Sequence, residues 1–155
     1  MSEQLRRGTM VQRTVHQWRE LTKEEIEHLL TKHSHGRLGL CIENEPYLVP
    51  VAYRYHEGAI YFHSAKRGKK LDFITKNNRV CFEIDEWQKA WASVICFGRA
   101  SLHDDFELKK KGFELLAKQA MPEERIKSAD AYIGIIDIEQ TTGRCSTDYE
   151  FGSIP

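Results

Sequence analysis

Hydrophobic positions along this chain change period several times, and each change marks an element. From Leu21 the spacing is helical, with Ile26, Leu29, Leu30 and His33 on one face. Thr22 followed three residues later by Glu25 forms a capping box, and Leu21 with Ile26 makes a hydrophobic staple across it. A helix ending near Ser34-His35-Gly36 is expected. The period then drops to two. Leu38, Leu40 and Ile42 line one side of a strand, and Glu43-Asn44-Glu45-Pro46 turns the chain. Residues 47–55 alternate Tyr47, Val49, Val51, Tyr53 and Tyr55 with Leu48, Pro50, Ala52 and Arg54, so both faces of this strand expect cover. Pro50 cannot donate a ladder hydrogen bond, which places it at a bulge or an unpaired edge.

His56-Glu57-Gly58 closes a hairpin into a strand over residues 59–64. A short helix over 68–76 expects Leu71 and Ile74 as its buried contacts, and residues 79–85 and 92–102 read as two further strands. Asp104 is the expected cap of a longer helix, with Glu107 at the capping-box position, Leu108, Gly112, Leu115 and Leu116 on one face, and Met121-Pro122 at its end. Residues 132–139 form the last β-rich run, and the polar stretch from Thr141 onward has no readable period. About six short strands, mostly joined by tight turns, with two or three helices and no strand–helix alternation, predict a mainly β fold: a closed antiparallel barrel with helical additions. Residues 1–20 lack a clear period and are expected to form an N-terminal arm, leaving 21–155 as one domain.

Composition narrows the partners. Lys and Arg number 23 and Asp and Glu 23, so the formal net charge is zero and the basic excess usual for nucleic-acid or anionic-membrane binding is missing. No stretch approaches the roughly 20 apolar residues of a membrane span, and the first thirteen residues lack a secretory apolar run, so a cytoplasmic protein is expected. Four cysteines, Cys41, Cys81, Cys96 and Cys145, include no C-x-x-C pair and three lie in strand-like segments, the pattern of reduced, buried thiols. His28, His33 and His35 cluster at the end of the first helix. No cysteine or carboxylate follows at ligand spacing, so they read as a helix terminus and no metal is expected.

One segment carries candidate chemistry. Tyr61-Phe62-His63-Ser64-Ala65-Lys66-Arg67-Gly68-Lys69-Lys70 runs from a strand end through a basic turn into a helix start. Unpaired N–H groups at a helix N-terminus, a serine hydroxyl and four cations make a phosphate site; on charge alone a solvated surface patch is the slightly better reading of the same four cations.

The runs PYLVPVAYRY, GAIYFHSAKRGKKLDFI and NRVCFEID, followed by SVICFGRASL, resemble in order and spacing the FMN-binding split-barrel proteins related to pyridoxamine 5′-phosphate oxidase, especially the branch that includes the nitroimidazole-resistance proteins. The resemblance covers roughly residues 22–145. It implies a six-stranded antiparallel split β-barrel of Greek-key type, a homodimer, and FMN in a groove at the subunit interface. Carried onto this chain, Val49, Pro50, Val51 and Ala52 would contact the isoalloxazine edge; His63, Ser64 and Ala65 would line the ribityl chain and phosphate; and Lys69 or Lys70 would be the phosphate cation. Trp87, Trp91 and Ser93 would reach the flavin from the partner chain. His63 is the side chain expected to deliver a proton to a reduced product, its alternative role being a hydrogen bond within the strand.

The implied activity is a flavin-dependent reduction of a small nitro-aromatic or quinone-like substrate with a nicotinamide donor. The alternatives are a non-catalytic flavin carrier or sensor, and a related haem-binding split barrel. True pyridoxamine phosphate oxidases grip substrate with a C-terminal arginine and histidine motif. The segment from Thr142 to Pro155 has one arginine and no histidine, so the resemblance does not carry vitamin B6 oxidation with it.

Overall fold

The computed structural model describes residues 17–152; most of the expected N-terminal arm lies outside them. The helix α1 (Lys23–Lys32) starts as its sequence dictates. Glu25 N–H donates to the Thr22 hydroxyl at 3.2 Å while the Glu25 carboxylate accepts from Thr22 N–H at 2.9 Å, so two otherwise orphaned donors are satisfied together. Arg19 grips the same carboxylate with two hydrogen bonds of 2.8 Å. The apolar face of α1, Ile26, Leu29 and Leu30, is buried in the main core.

That core fills a ring of strands. β2 (His35–Ile42), β3 (Glu45–His56), β4 (Ala59–Ala65), β5 (Arg79–Trp87), β6 (Trp91–His103) and β7 (Ala131–Ser146) are all antiparallel. Their order is β7-β4-β3-β2-β5-β6, and β6 returns to pair with β7, so the six strands close on themselves as the alternation predicted. A seventh strand, β1 (Trp18–Glu20), pairs with the last residues of β7, giving the end of the presumptive arm a fixed place. Tyr53, Phe62, Phe82, Leu38, Ile60, Val94 and Ile136 are fully enclosed in the ring. Tyr53 reaches through it to donate its hydroxyl to the Leu30 carbonyl at 2.8 Å.

Two features shape the ring. The β3–β4 hairpin turns on Glu57 and Gly58, with φ of 47° and 79°, the left-handed pair that matches strand twist in a two-residue turn. In the β6–β7 pair the register slips at Phe97/Gly98, where a Cβ on Gly98 would meet the Asp137 carbonyl oxygen at 2.1 Å; only glycine admits this close approach.

The helices α2 (Lys69–Lys76), α3 (Phe106–Ala117) and α4 (Glu123–Ser128) follow β4 and β6. α3 covers the outer face of β4 and β7, where Leu108, Phe113, Leu115 and Leu116 pack on Tyr61, Ile133 and Ile135 as a second, smaller core. Several local expectations shift. Phe73 and Ile74, rather than Leu71 and Ile74, are the buried residues of α2. The cap of α3 is Asp105, whose carboxylate accepts from Leu108 N–H at 3.0 Å; Asp104 instead binds the lysines Lys66 and Lys109. β7 runs on through the polar stretch to Ser146, and α4 occupies a segment with no marked helical period.

Candidate flavin site

The sheet opens at one seam. β3 and β4 pair from His56/Ala59 to Tyr53/Phe62 and no further. Beyond that point β3 follows β2 alone, down to Glu45, while His63, Ser64 and Ala65 follow β7 alone. The residues named from the sequence stand on both lips of this seam: Val49, Pro50, Val51 and Ala52 on one, His63, Ser64 and Ala65 on the other.

Register explains Pro50. Tyr53 N–H donates to the Ser34 carbonyl at 2.9 Å on the β2 side, and the pairing continues without a slip to Ile42/Glu45. Alternation therefore turns the main-chain groups of Val51 and Val49 toward β2 and those of Ala52 and Pro50 toward the open seam. No β2–β3 hydrogen bond is lost to the missing Pro50 N–H. Pro50 thus sits at an unpaired edge rather than a bulge, and the seam keeps the Ala52 N–H and the Ala52 and Pro50 carbonyls for a ligand.

At the far end of β4 the basic turn enters α2. Gly68, at φ 109°, is the residue before the helix and no side chain caps it, so the first N–H groups of α2 are uncovered. The four cations differ in what they do. Lys66 is tied to Asp104 at 2.5 Å, and Asp104 also binds the buried Lys109 at 3.0 Å, which locks the turn to α3. Lys70 donates to the His63 carbonyl at 3.1 Å and lies over the Phe62 ring; its burial lowers its pKa, the state of a cation short of a counter-ion. Lys69 rests over the Tyr47 and Phe73 rings, 5.0 and 5.5 Å from their centres. Arg67 is exposed.

Ser64 is placed differently from its expected role. It is 1% exposed, and its hydroxyl donates to the Ala65 carbonyl at 3.2 Å, because the alternation that turns Phe62 inward turns Ser64 inward too. His63 faces out. Partial burial and the nearby Lys70 ammonium hold its pKa below the usual histidine value, which favours the neutral ring.

Outside the seam, between the β3 lip and α3, lies a cavity of about 470 Å³ lined by Ala52, Arg54, His63, Phe113, Leu116 and Met121 among others. Nothing in the sequence pattern marked Arg54 as part of a site. Trp91 and Ser93 do not join it within one chain: β7 pairs His63 with Ile133 and Ser93 with Arg144, eleven residues further along. Trp91 stacks on Trp87 at 5.7 Å. The three clustered histidines also go separate ways. His33 binds Glu86 at 2.7 Å, His35 bonds Ser34, and His28 packs on Phe151.

The thiols are not poised for chemistry. All four are free; Cys96 and Cys145 are buried, and burial lifts Cys96 to about 12.

A family model described as pyridoxamine 5′-phosphate oxidase matches residues 22–145. Among solved structures, an FAD-binding protein of Mesorhizobium loti is 28% identical, with 84% of this chain and 99% of that one aligned at a TM-score of 0.70. A candidate pyridoxamine 5′-phosphate oxidase of Corynebacterium glutamicum is 26% identical over 87% of this chain and 97% of that one, at 0.70. A candidate 5-nitroimidazole antibiotic resistance protein of Bacteroides thetaiotaomicron shares the fold at 19% identity and a TM-score of 0.71, covering 83% and 87% of the two chains. With its six-strand ring, its seam and a family match that spans both, the chain belongs to the pyridoxamine 5′-phosphate oxidase family.

Proposed function

We propose that this protein is a flavoprotein, binding FMN along the β3–β4 seam, and that it is an oxidoreductase passing electrons from a nicotinamide to a small nitro-aromatic or quinone-like acceptor. The observation that carries the reading is the seam itself: main-chain donors and acceptors left unpaired at Ala52 and Pro50 open onto the uncapped, basic start of α2. A tricyclic ring needs flat walls and a few backbone partners, and its phosphate needs N–H groups and cations; both needs meet here. The M. loti neighbour, an FAD-binding protein, supports a flavin of this general kind.

When bound, the flavin supplies a two-electron carrier able to exchange a hydride. The chain's own part is to bind and orient it. Lys69 and Lys70 neutralise the phosphate, Lys70 exchanging its bond to the His63 carbonyl for a charge-assisted one. His63, whose neutral ring is favoured, offers a ring N–H or an acceptor nitrogen at the mouth of the seam.

The working form is a homodimer. Leu48, Gly39, Cys81 and Phe97 stand in one register row across the outside of β3, β2, β5 and β6, with Leu48 67% and Phe97 40% exposed. Gly39 notches the row into a groove of about 550 Å³. An apolar strip of this kind fits a second copy of the same wall, and pairing there offers a route for Trp91 and Ser93 to approach the partner's flavin.

The visible spectrum tests the reading. The purified protein is expected to show flavin bands that NADH or NADPH bleaches anaerobically, and to sediment as a dimer. A colourless protein that takes up no FMN on titration refutes it; retained flavin that neither nucleotide reduces leaves a carrier.

A further inference from the structure

The cavity outside the seam has a chemical bias that flavin binding does not account for. Its floor is the two lips, Ala52 and His63, and its roof is α3, through Phe113, Leu116 and Ala117, with Met121 from the segment that follows. Its polar lining consists of Ser34, His35, Tyr53, Arg54 and His63, with no carboxylate. Arg54 stands at the centre of this asymmetry. It lies on the outward face of β3, opposite Tyr61, and donates from Nη1 to the Tyr53 carbonyl at 3.0 Å. Its Nε is buried without any hydrogen-bond partner, the one such side-chain atom among the described residues. A buried N–H with no acceptor is destabilising. Arg54 forms no ion pair among the described residues: this chamber offers no acid, and Glu107 and Glu114, which line the cavity on its other side, are not bonded to it.

We propose that this cavity is the substrate chamber beside the flavin and that Arg54 is its specificity residue, selecting a small aromatic molecule that bears a carboxylate. The inference rests on the flavin reading for the word substrate. About 470 Å³ accommodates a single substituted ring. Phe113, Leu116 and Met121 supply its apolar walls, and the planar guanidinium matches a carboxylate in a way an ammonium does not. Arg54 takes over the task for which Thr142 to Pro155 lack residues, from a different strand and for a different anion.

Calorimetric titration of the purified full chain with benzoate and with its neutral analogue benzamide decides the matter, because heat of binding needs no bound flavin. Wild-type protein is expected to prefer benzoate at least tenfold. Arg54→Gln should weaken benzoate about tenfold to a hundredfold, the range of a charge-assisted hydrogen bond, and leave benzamide unchanged. Arg54→Lys should restore part of the preference, and Leu116→Trp, which fills the chamber, should abolish both ligands. Equal affinity for the two probes in the wild type, or benzoate binding indifferent to Arg54→Gln, overturns the proposal. The wild-type ratio decides even if a variant does not fold.

Absorbance of the same samples separates this inference from the one beneath it. Benzoate should shift the flavin bands. Flavin bands with no benzoate binding, or bands that bound benzoate leaves unmoved, overturn the chamber and spare the flavin reading. Arg54-dependent benzoate binding in a protein that takes up no flavin overturns the flavin reading and spares the anion pocket.

Discussion

Two seams of the same barrel behave in opposite ways. β6 and β7 stay paired from Ala92/Cys145 to His103/Ile133, with one bulge at Gly98 to relieve the curvature. β3 and β4 separate after four residues each and leave the Ala52 and Pro50 main-chain groups facing outward. Both are antiparallel neighbours in one closed sheet, so strand propensity does not distinguish them. What differs is the neighbourhood. The closed seam is lined on its inner side by Ala92, Val94, Cys96 and Ala100, all buried, whereas the open seam ends at a proline on one lip and a basic turn on the other. A fully paired seam stabilises the ring. A parted one exposes backbone that a ligand can use, and the molecule holds it in place with side-chain ties such as Lys66–Asp104–Lys109.

The largest effect should come from the closed side of the molecule. Phe82 is fully buried and meets Tyr53 edge-on at 4.7 Å. Phe82→Ala is expected to cost about 3–5 kcal/mol in urea unfolding, as a core truncation that leaves a cavity. A cost below about 1 kcal/mol would mean that the ring interior is not the load it is taken to be.

On the open side the order of effects reverses. Lys69→Ala combined with Lys70→Ala should weaken FMN binding by about 3 kcal/mol, since charge-assisted hydrogen bonds contribute about 1.5–3 kcal/mol each, while changing the unfolding midpoint of the flavin-free protein little. Fluorescence titration of FMN checks the first half and urea unfolding the second. An unchanged FMN affinity would falsify the phosphate assignment and with it the functional contrast between the seams.

The third prediction probes the lock on the closed end. Glu86 accepts hydrogen bonds from Lys32 at 2.7 Å, His33 at 2.7 Å and Tyr149 at 2.5 Å, joining α1, β5 and the C-terminal segment. Burial alone would raise its pKa, but these bonds outweigh burial and bring it down to about 2. A lowered carboxylate pKa stabilises the fold above the ordinary value near 4.5, and that contribution is lost as pH falls from there toward 2. Glu86→Gln should therefore cost about 1.5–3 kcal/mol at pH 7. Its stability should also vary less with pH than the wild type's between 4.5 and 2, as read by unfolding at several pH values.

The smallest effect is expected at the α1 cap, where Thr22→Ala removes one of the paired bonds and should cost about 1 kcal/mol. Flavin affinity should not change, since α1 packs on the core away from the seam.

Much of this was legible in the chain because it depends on local chemistry. The capping box of α1, the alternation in β2 to β6, the Glu57-Gly58 turn and the basic entry to α2 each follow from neighbouring residues, and each is present in the structure. The burial of Ser64 was not legible from a hydroxyl beside cations, because it is set by the strand alternation that turns Phe62 inward as well. The end of β7 was missed because its outward residues Thr142 and Arg144 are exposed while Gly143 and Cys145 face the core, where glycine and cysteine give little period to read. Arg54 was invisible as a site residue because its surroundings come from α3, about sixty residues away in sequence.

By itself the sequence determined most of the elements and their turns, the basic entry to α2 and, through the resemblance, the family. Only the tertiary structure decided where the sheet parts, which of the four cations is tied to a carboxylate, and that Arg54, without an ion pair among the described residues, lines a cavity beside the seam. The reason is physical. Propensity, capping and alternation act over a few residues, whereas pairing, burial and charge compensation depend on segments the chain brings together only by closing the ring.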